Sequence, residues 1–294
     1  MSFVYNVTVS NPFYAHNITN RPMFTKTLGP TSARLLTRLA EKGRTVFSIA
    51  DAQEVLEHNY DATRQTLGRL VRSGWLVRLT PGHYAIVPLS SGSEATPQAN
   101  RYVIARELLR KTPYYVSHES AMDIHNMLTR PVTTVTITTP RRLANRTIMR
   151  VSYRFVYAPD QAIWGHSPVW VTPYEQVIVS DLEKTILDGL IRPDLCAGVE
   201  QVATGLWMRH DDLDWGKLAN YAKRLDRHVV AQRLGYLLEL YGLGTPALIE
   251  SLLALVGTAY ARLDPILPDD GPYLARWRLR LNLEPEALQA IIRT

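Results

Sequence analysis

The chain has 294 residues, 46% of them hydrophobic and 20% charged, enough to bury a substantial core and more comfortable for two domains than for one. A formal net charge of +6 favours polyanionic partners, because positive side chains displace the counterions condensed on nucleic acid. The single cysteine, Cys196, excludes an intramolecular disulfide framework and an all-cysteine zinc site, and packing in a reducing cytoplasm is its expected role.

Residues 1–27 are polar, aromatic and aperiodic, with Pro12 and Pro22 breaking any helix, and lack the basic start and apolar run of a secretory signal. They read as an arm. From residue 31 the pattern becomes helical, over 31–42, 49–56 and 61–73. Leu35, Leu36 and Leu39 form one apolar stripe, Ile49, Ala52, Val55 and Leu56 a second, and Leu67, Leu70 and Val71 a third, enough for a small shared core. Gly43 is placed to end the first helix, and Asp61 is the expected N-cap of the third.

Turning the third stripe inward leaves Arg64, Gln65, Gly68, Arg69 and Arg72 on the opposite face. Arginine pairs with the two acceptors of guanine and glutamine with the donor and acceptor of adenine, so Arg64 and Gln65 are the base-edge candidates, while Arg69 and Arg72 suit the phosphate backbone. Past Gly74, residues 75–79 alternate as a strand, Thr80-Pro81-Gly82-His83 has the composition of a type II turn, and 84–87 returns. The result is a two-stranded wing with Arg78, Thr80 and His83 at or near its tip, within reach of phosphates or a minor groove. Read blandly, the same helix is a solvated face and the same wing a protein-interaction module.

The small polar run Ser90-Ser91-Gly92-Ser93-Glu94-Ala95-Thr96-Pro97 has linker composition. Beyond it a helix at 99–110 precedes β-rich runs at 114–116, 132–138, 149–157 and 169–179. Helices are then expected at 182–190, 196–207, 215–225, 229–241 and 246–260. The most apolar stretch, 248–263, is interrupted by Glu250 and Ser251, so no membrane span is expected. The expected fold class is α+β: an arm at 1–27, a winged helix-turn-helix DNA-binding domain at 28–95, and a larger mixed α/β C-terminal domain at 96–294.

Two clusters invite a catalytic reading. Ser117-His118-Glu119-Ser120-Ala121-Met122-Asp123-Ile124-His125 lacks the four-residue histidine spacing of a zinc protease helix, and is expected instead to be a helix capped by Ser117 with Ala121, Ile124 and Leu128 inward. Asp181-Leu182-Glu183-Lys184-Thr185-Ile186-Leu187-Asp188 glances at a metal-dependent nuclease, but Leu182 stands where an acidic residue is needed two positions before the lysine. An Asp181–Lys184 pair on a helix capped by Ser180 or Asp181, with Leu182, Ile186, Leu187 and Leu190 inward, is expected there. No catalytic residue, metal or cofactor is assigned, and binding is the simpler account. The basic positions Arg141, Arg142, Arg146 and Arg150 offer a second surface for an anionic partner, against a solvated stretch between strands.

Three further runs, 114–121, 177–188 and 232–239, together with the winged helix, resemble the AbiEi-type antitoxins of AbiE toxin-antitoxin systems. The run with Glu183-Lys184-Thr185 and Asp188 is the most specific of them. The resemblance implies a cytoplasmic, non-enzymatic repressor that binds inverted repeats in double-stranded operator DNA through basic winged-helix residues. Carried to matching exposed positions, these are Arg64, Gln65, Arg69, Arg72 and Arg78. It implies a C-terminal antitoxin domain that neutralises a nucleotidyltransferase-like toxin, directly or indirectly. Two copies on the operator would come from self-association or cooperative loading. The rival expectation is a DNA-processing enzyme whose winged helix delivers a nuclease-like C-terminal domain.

Overall fold

A computed structural model describes residues 28–88, 99–110 and 112–291. The arm at 1–27 and the linker run at 90–97 lie outside the described residues. The chain is an α+β fold built on three sheets.

The first elements are α1 (Pro30–Glu41), β1 (Val46–Ser48), α2 (Ile49–Leu56), α3 (Tyr60–Arg72), β2 (Leu76–Thr80) and β3 (His83–Ile86). The strands form one antiparallel sheet in the order β1-β3-β2. Leu35 and Leu39 of α1, Ala52 and Leu56 of α2, and Leu67 and Leu70 of α3 meet Phe47, Trp75, Leu76 and Tyr84 in a closed core, as the apolar spacing requires. The α2 N-terminus carries a reciprocal capping box: the Ser48 hydroxyl accepts from Asp51 N–H and the Asp51 carboxylate accepts from Ser48 N–H. The cap of α3 is Asn59, whose side chain accepts from Ala62 N–H; Asp61, expected in that role, lies inside the first turn.

The chain continues through α4 (Arg101–Leu108), β4 (Tyr115–Val116), α5 (His118–Ile124), β5 (Thr134–Thr139), β6 (Arg146–Ile148), β7 (Val151–Tyr157), β8 (His166–Trp170) and β9 (Gln176–Ser180). These six strands make a mixed sheet ordered β6-β7-β5-β4-β9-β8, with β5/β7 and β4/β9 parallel. Two runs expected as single strands are corrected. The 149–157 run begins in the turn between β6 and β7, where Met149 and Arg150 both take positive φ as a two-residue hairpin requires. The 169–179 run contains the turn between antiparallel β8 and β9. Period-two alternation does not report where a strand reverses.

The two faces of this sheet differ. Val116, Val135, Ile137, Val177 and Val179 pack with Tyr102, Val103 and Ile104 of α4 in an apolar layer. The other face is hydroxylic. Ser120 Oγ donates to Thr134 C=O and accepts from Thr136 N–H, Thr138 Oγ1 donates to Ser117 Oγ, and Ser180 Oγ lies 2.8 Å from Thr185 Oγ1. Ser117 precedes α5 as expected, but its hydroxyl serves this network rather than the helix amides.

The helical layer comprises α6 (Leu182–Ile191), α7 (Val199–Met208), α8 (Trp215–Leu225), α9 (His228–Tyr241) and α10 (Pro246–Leu253), followed by β10 (Ala261–Arg262), β11 (Tyr273–Leu274), β12 (Leu279–Arg280) and α11 (Pro285–Ala290). Two expected helices are shorter than their apolar patterns. Helix α7 starts at Val199, its N–H satisfied by Asp264 Oδ2 at 2.7 Å, so its cap comes from far along the chain. Helix α10 stops at Leu253, and His228 Nδ1 lies 2.8 Å from the Leu255 carbonyl just beyond. The apolar pattern runs on because Leu255, Val256 and Leu263 still pack into the core. Trp277, fully buried, lies across α9 where Gly235 leaves room: a Cβ on Gly235 would stand 2.1 Å from the indole. Cys196 is buried, in keeping with packing.

The small N-terminal sheet is keyed to the rest. Val46 of β1 and Ala85 of β3 belong to the same apolar layer as Tyr102 and Val103 of α4. Beside it, Arg110 clamps Asp51 with two hydrogen bonds of 2.6 and 2.7 Å and also reaches Ser48 Oγ, while Arg44 adds a third bond to the same carboxylate. Thr45 Oγ1 donates to Glu175, which also receives Arg106. Gly43, at positive φ behind α1, packs so closely on Tyr174 that a Cβ would overlap it.

Candidate nucleic-acid interface

Helix α3 buries Thr63, Thr66, Leu67 and Leu70 and leaves Arg64, Gln65, Arg69 and Arg72 exposed, the division that a 3.6-residue period dictates. Among the described residues, Arg64, Gln65 and Arg72 have no hydrogen-bonding or ionic side-chain partner; Arg69 is turned along the helix to Thr66 Oγ1 at 3.2 Å. The arginines of α1 and the following turn are engaged instead: Arg34 with Glu57, Arg38 with Glu41, and Arg44 with Asp51. The contrast matters, because an unpaired guanidinium is free to exchange water and counterions for phosphate or a base edge.

Gly68 sits among these arginines. A Cβ there would meet no atom within 4 Å, so no protein packing requires glycine, and the helix interior disfavours it by about 1 kcal/mol relative to alanine. Gly68→Ala is therefore expected to raise unfolding stability by about 1 kcal/mol in urea titration; an unchanged or lowered stability would refute this view of the site. What glycine leaves on this face is clear space for close approach. Tyr60, one turn before Arg64, is 54% exposed, a large ring at the entrance of the same helix. It lies one residue before the start expected for this helix, at 61, so helical spacing alone does not place it on the face.

The hairpin holds Arg78 exposed on β2, opposite Tyr84. Gly82 at φ +80° makes the turn after Pro81, and its carbonyl accepts from Ile49 N–H at 2.8 Å, strapping the tip to the start of α2. Thr80 and His83 are half-buried, with Thr80 Oγ1 3.2 Å from His83 Nδ1, so they brace the turn against each other.

The two clusters that invited catalysis are built differently. His118 is buried and its imidazole is pushed down to about 4 by desolvation, so it is neutral at ordinary pH. His125 is likewise lowered by burial, with Nε2 at 2.6 Å from Ser180 C=O. Asp181 caps α6 through Lys184 N–H as expected, but the expected Asp181–Lys184 side-chain pair is corrected: Lys184 pairs with Asp188 a turn later, and Asp181 pairs with Lys217. The apolar contacts of α6 fill its own flanks, leaving the ammonium the buried carboxylate as partner. Glu183 accepts from Lys217 Nζ at 2.7 Å and from Asp214 N–H at 3.0 Å. Burial works against the charge on Lys217, and the two carboxylates outweigh it, holding the ammonium above its ordinary value. Among the described residues no group of three or more His, Cys, Asp or Glu side chains could hold a metal ion.

Arg141, Arg142, Arg146 and Arg150 are all exposed; Arg142 lies 4.3 Å from the Tyr157 ring centre and Arg146 5.4 Å from that of Phe155. No helix among the described residues is long and apolar enough to cross a membrane.

Residues 34–87, from α1 to just past the hairpin, match the family described as transcriptional regulator, AbiEi antitoxin. The resemblance read from the sequence holds over this segment. No curated protein matches the chain. Among solved structures, the chain is similar in fold to the RV2827C protein from Mycobacterium tuberculosis, with 19% identity and a TM-score of 0.66 over 91% of this chain and 96% of that one.

Proposed function

We propose that α1 to β3 form a winged helix-turn-helix that binds duplex DNA, with α3 in the major groove and the β2–β3 hairpin as its wing. In this reading the chain is an antitoxin and autorepressor of a toxin-antitoxin operon. The observation that carries it is the exposed α3 face, where Arg64, Gln65 and Arg72 stand unpaired around the open Gly68 within the segment that matches the AbiEi regulators. Arg64 and Gln65 read base edges, Arg69 and Arg72 hold phosphates, and Arg78 extends the contact from the hairpin. Thr80 and His83 contribute by fixing the turn. Residues 28–95 then constitute the DNA-binding domain and 96–294 the antitoxin domain, which neutralises a nucleotidyltransferase-like toxin either directly or indirectly. No catalysis is assigned to the chain: the Glu183 carboxylate, which a nuclease would need, is already engaged by Lys217 and a backbone amide.

The test is a mobility shift of the purified protein on DNA upstream of its own gene, titrated with salt. Replacing Arg64 and Arg69 together with alanine is expected to weaken binding by about 100-fold and, since only Arg69 holds a phosphate, to lower the salt slope by about one counterion. Gly68→Ala, although stabilising, is expected to weaken operator binding through loss of close approach. Absence of retardation at low salt, or a double variant that binds like the parent, would overturn the proposal. Co-expression with the neighbouring toxin gene then tests the second half.

A further inference from the structure

On the far side of the six-stranded sheet from α4 lies a cleft of about 440 Å³, within the range of small-molecule sites. Its floor is set by strand register: Tyr115 of β4 faces Thr138 of β5, which faces Val156 of β7, so the three side chains share one face. The cleft opens beyond the carboxyl ends of parallel β5 and β7, where side chains from different strands and the following loops converge. Helix α6 crosses above, placing Lys184 and Asp188 one turn apart in its wall.

Lys184 is 2% exposed. Its ammonium donates to Asp188 and, at 3.1 Å, to the Tyr115 hydroxyl, which itself donates to Asp188 at 3.1 Å. Those two bonds leave one of its three donors to the rings around it: the nitrogen lies 5.0 Å from the centre of Trp164 and 5.2 Å from that of Tyr115. The Arg224 guanidinium also lies near Trp164, 4.2 Å from the ring centre. The two cations at this half-buried indole make the surroundings of the ring positive, which favours an anionic group beside them.

The mouth is cationic. Arg224 and Arg227 are exposed and have no carboxylate partner among the described residues, whereas Arg192, on the same rim, is taken up by Asp194. Within the lining, four cationic side chains face the single carboxylate of Asp188. Tyr157, 47% exposed, adds a second ring at the edge. His118, buried in the floor, holds a positive φ of 53°, a strained backbone for a residue with a side chain and a kind of strain that gathers at ligand sites.

We infer that this cleft binds a nucleoside phosphate, its phosphate groups on Arg224 and Arg227 and its base against Trp164 and Tyr157. Guanidiniums without carboxylates suit phosphate oxygens, and the exposed Tyr157 ring beside the half-buried indole suits a planar heterocycle. The site is separate from α3 and is not part of the DNA-reading proposal.

The full-length protein, titrated with ATP, GTP, CTP, UTP and a 5′-phosphorylated pentanucleotide, is expected to bind at least one of them saturably by calorimetry. Binding by a mononucleotide assigns a free nucleotide, and binding by the pentanucleotide alone assigns a chain end. Arg224→Ala with Arg227→Ala, and separately Arg227→Glu, are expected to weaken that binding by about tenfold or more while leaving the far-ultraviolet dichroism and operator retardation unchanged. Both positions are exposed, so neither change disturbs the core. The proposal is overturned if no probe binds at millimolar concentration, if both variants bind like the parent, or if tripolyphosphate binds as tightly as the nucleotides.

Discussion

Trp277→Ala is expected to cost about 3–5 kcal/mol of stability, the largest loss from any single side chain in the helical layer. The indole is fully buried, its ring lies on Gly235 of α9, and its Nε1 donates to Glu239 Oε2 at 2.6 Å. Truncation removes all three features and opens a cavity that rigid helices cannot fill. Gly235→Ala attacks the same contact from the other side, because its new methyl would stand 2.1 Å from the ring and force the C-terminal segment outward. Urea unfolding of the two variants checks this. A loss below about 1 kcal/mol in Trp277→Ala would mean that the segment is not a stabilising part of the core.

Asp51→Asn is expected to cost about 3 kcal/mol at neutral pH, at the lower end for a buried ion pair because Arg44 and Arg110 each keep about a third of their side chains in water. Burial raises the Asp51 pKa, but hydrogen bonds from Arg110 and Ser48 outweigh it and hold the carboxyl well below the usual carboxylate range. The sign follows from linkage. A folded-state pKa below the unfolded one contributes stability that is fully present above about pH 4 and lost as pH falls through the folded value. The stability gap between parent and Asp51→Asn should therefore stay constant from about pH 8 to about pH 5 and narrow below about pH 4. A gap that widened in acid would contradict the assignment.

The helices of the N-terminal unit were legible because Leu35, Leu39, Leu67 and Leu70 fall at helical spacing and define the inner faces, and with them the outer face of α3. What remained hidden depended on partners far along the chain. Asp264 caps the start of α7, Arg110 clamps Asp51, and His228 meets the carbonyl beyond α10, none of which local pattern can announce. The hydroxylic sheet face was missed for a related reason: Thr136 and Thr138 alternate like residues facing water, yet they face α5 and α6 in a satisfied network. Lys184 and Asp188, likewise, look like solvated helix charges until the sheet places Tyr115 against them. Of the proposed DNA contacts, Thr80 and His83 looked exposed because turn chemistry does not reveal that Ile49 straps the turn down.

The burial of Leu263, Trp277, Leu279 and Leu288 in the helical core also sets an order of events at the ribosome. Helix α3 and the β2–β3 hairpin have their core residues, and the α4 residues they lean on, once the chain has emerged to about residue 108. The helical layer lacks these four side chains until residue 288 has emerged, which at about 5–20 residues per second is about 10–40 s later. For that interval the nascent chain has the core of α1 to β3 in hand, while apolar surface on α7 and α9 lacks its cover.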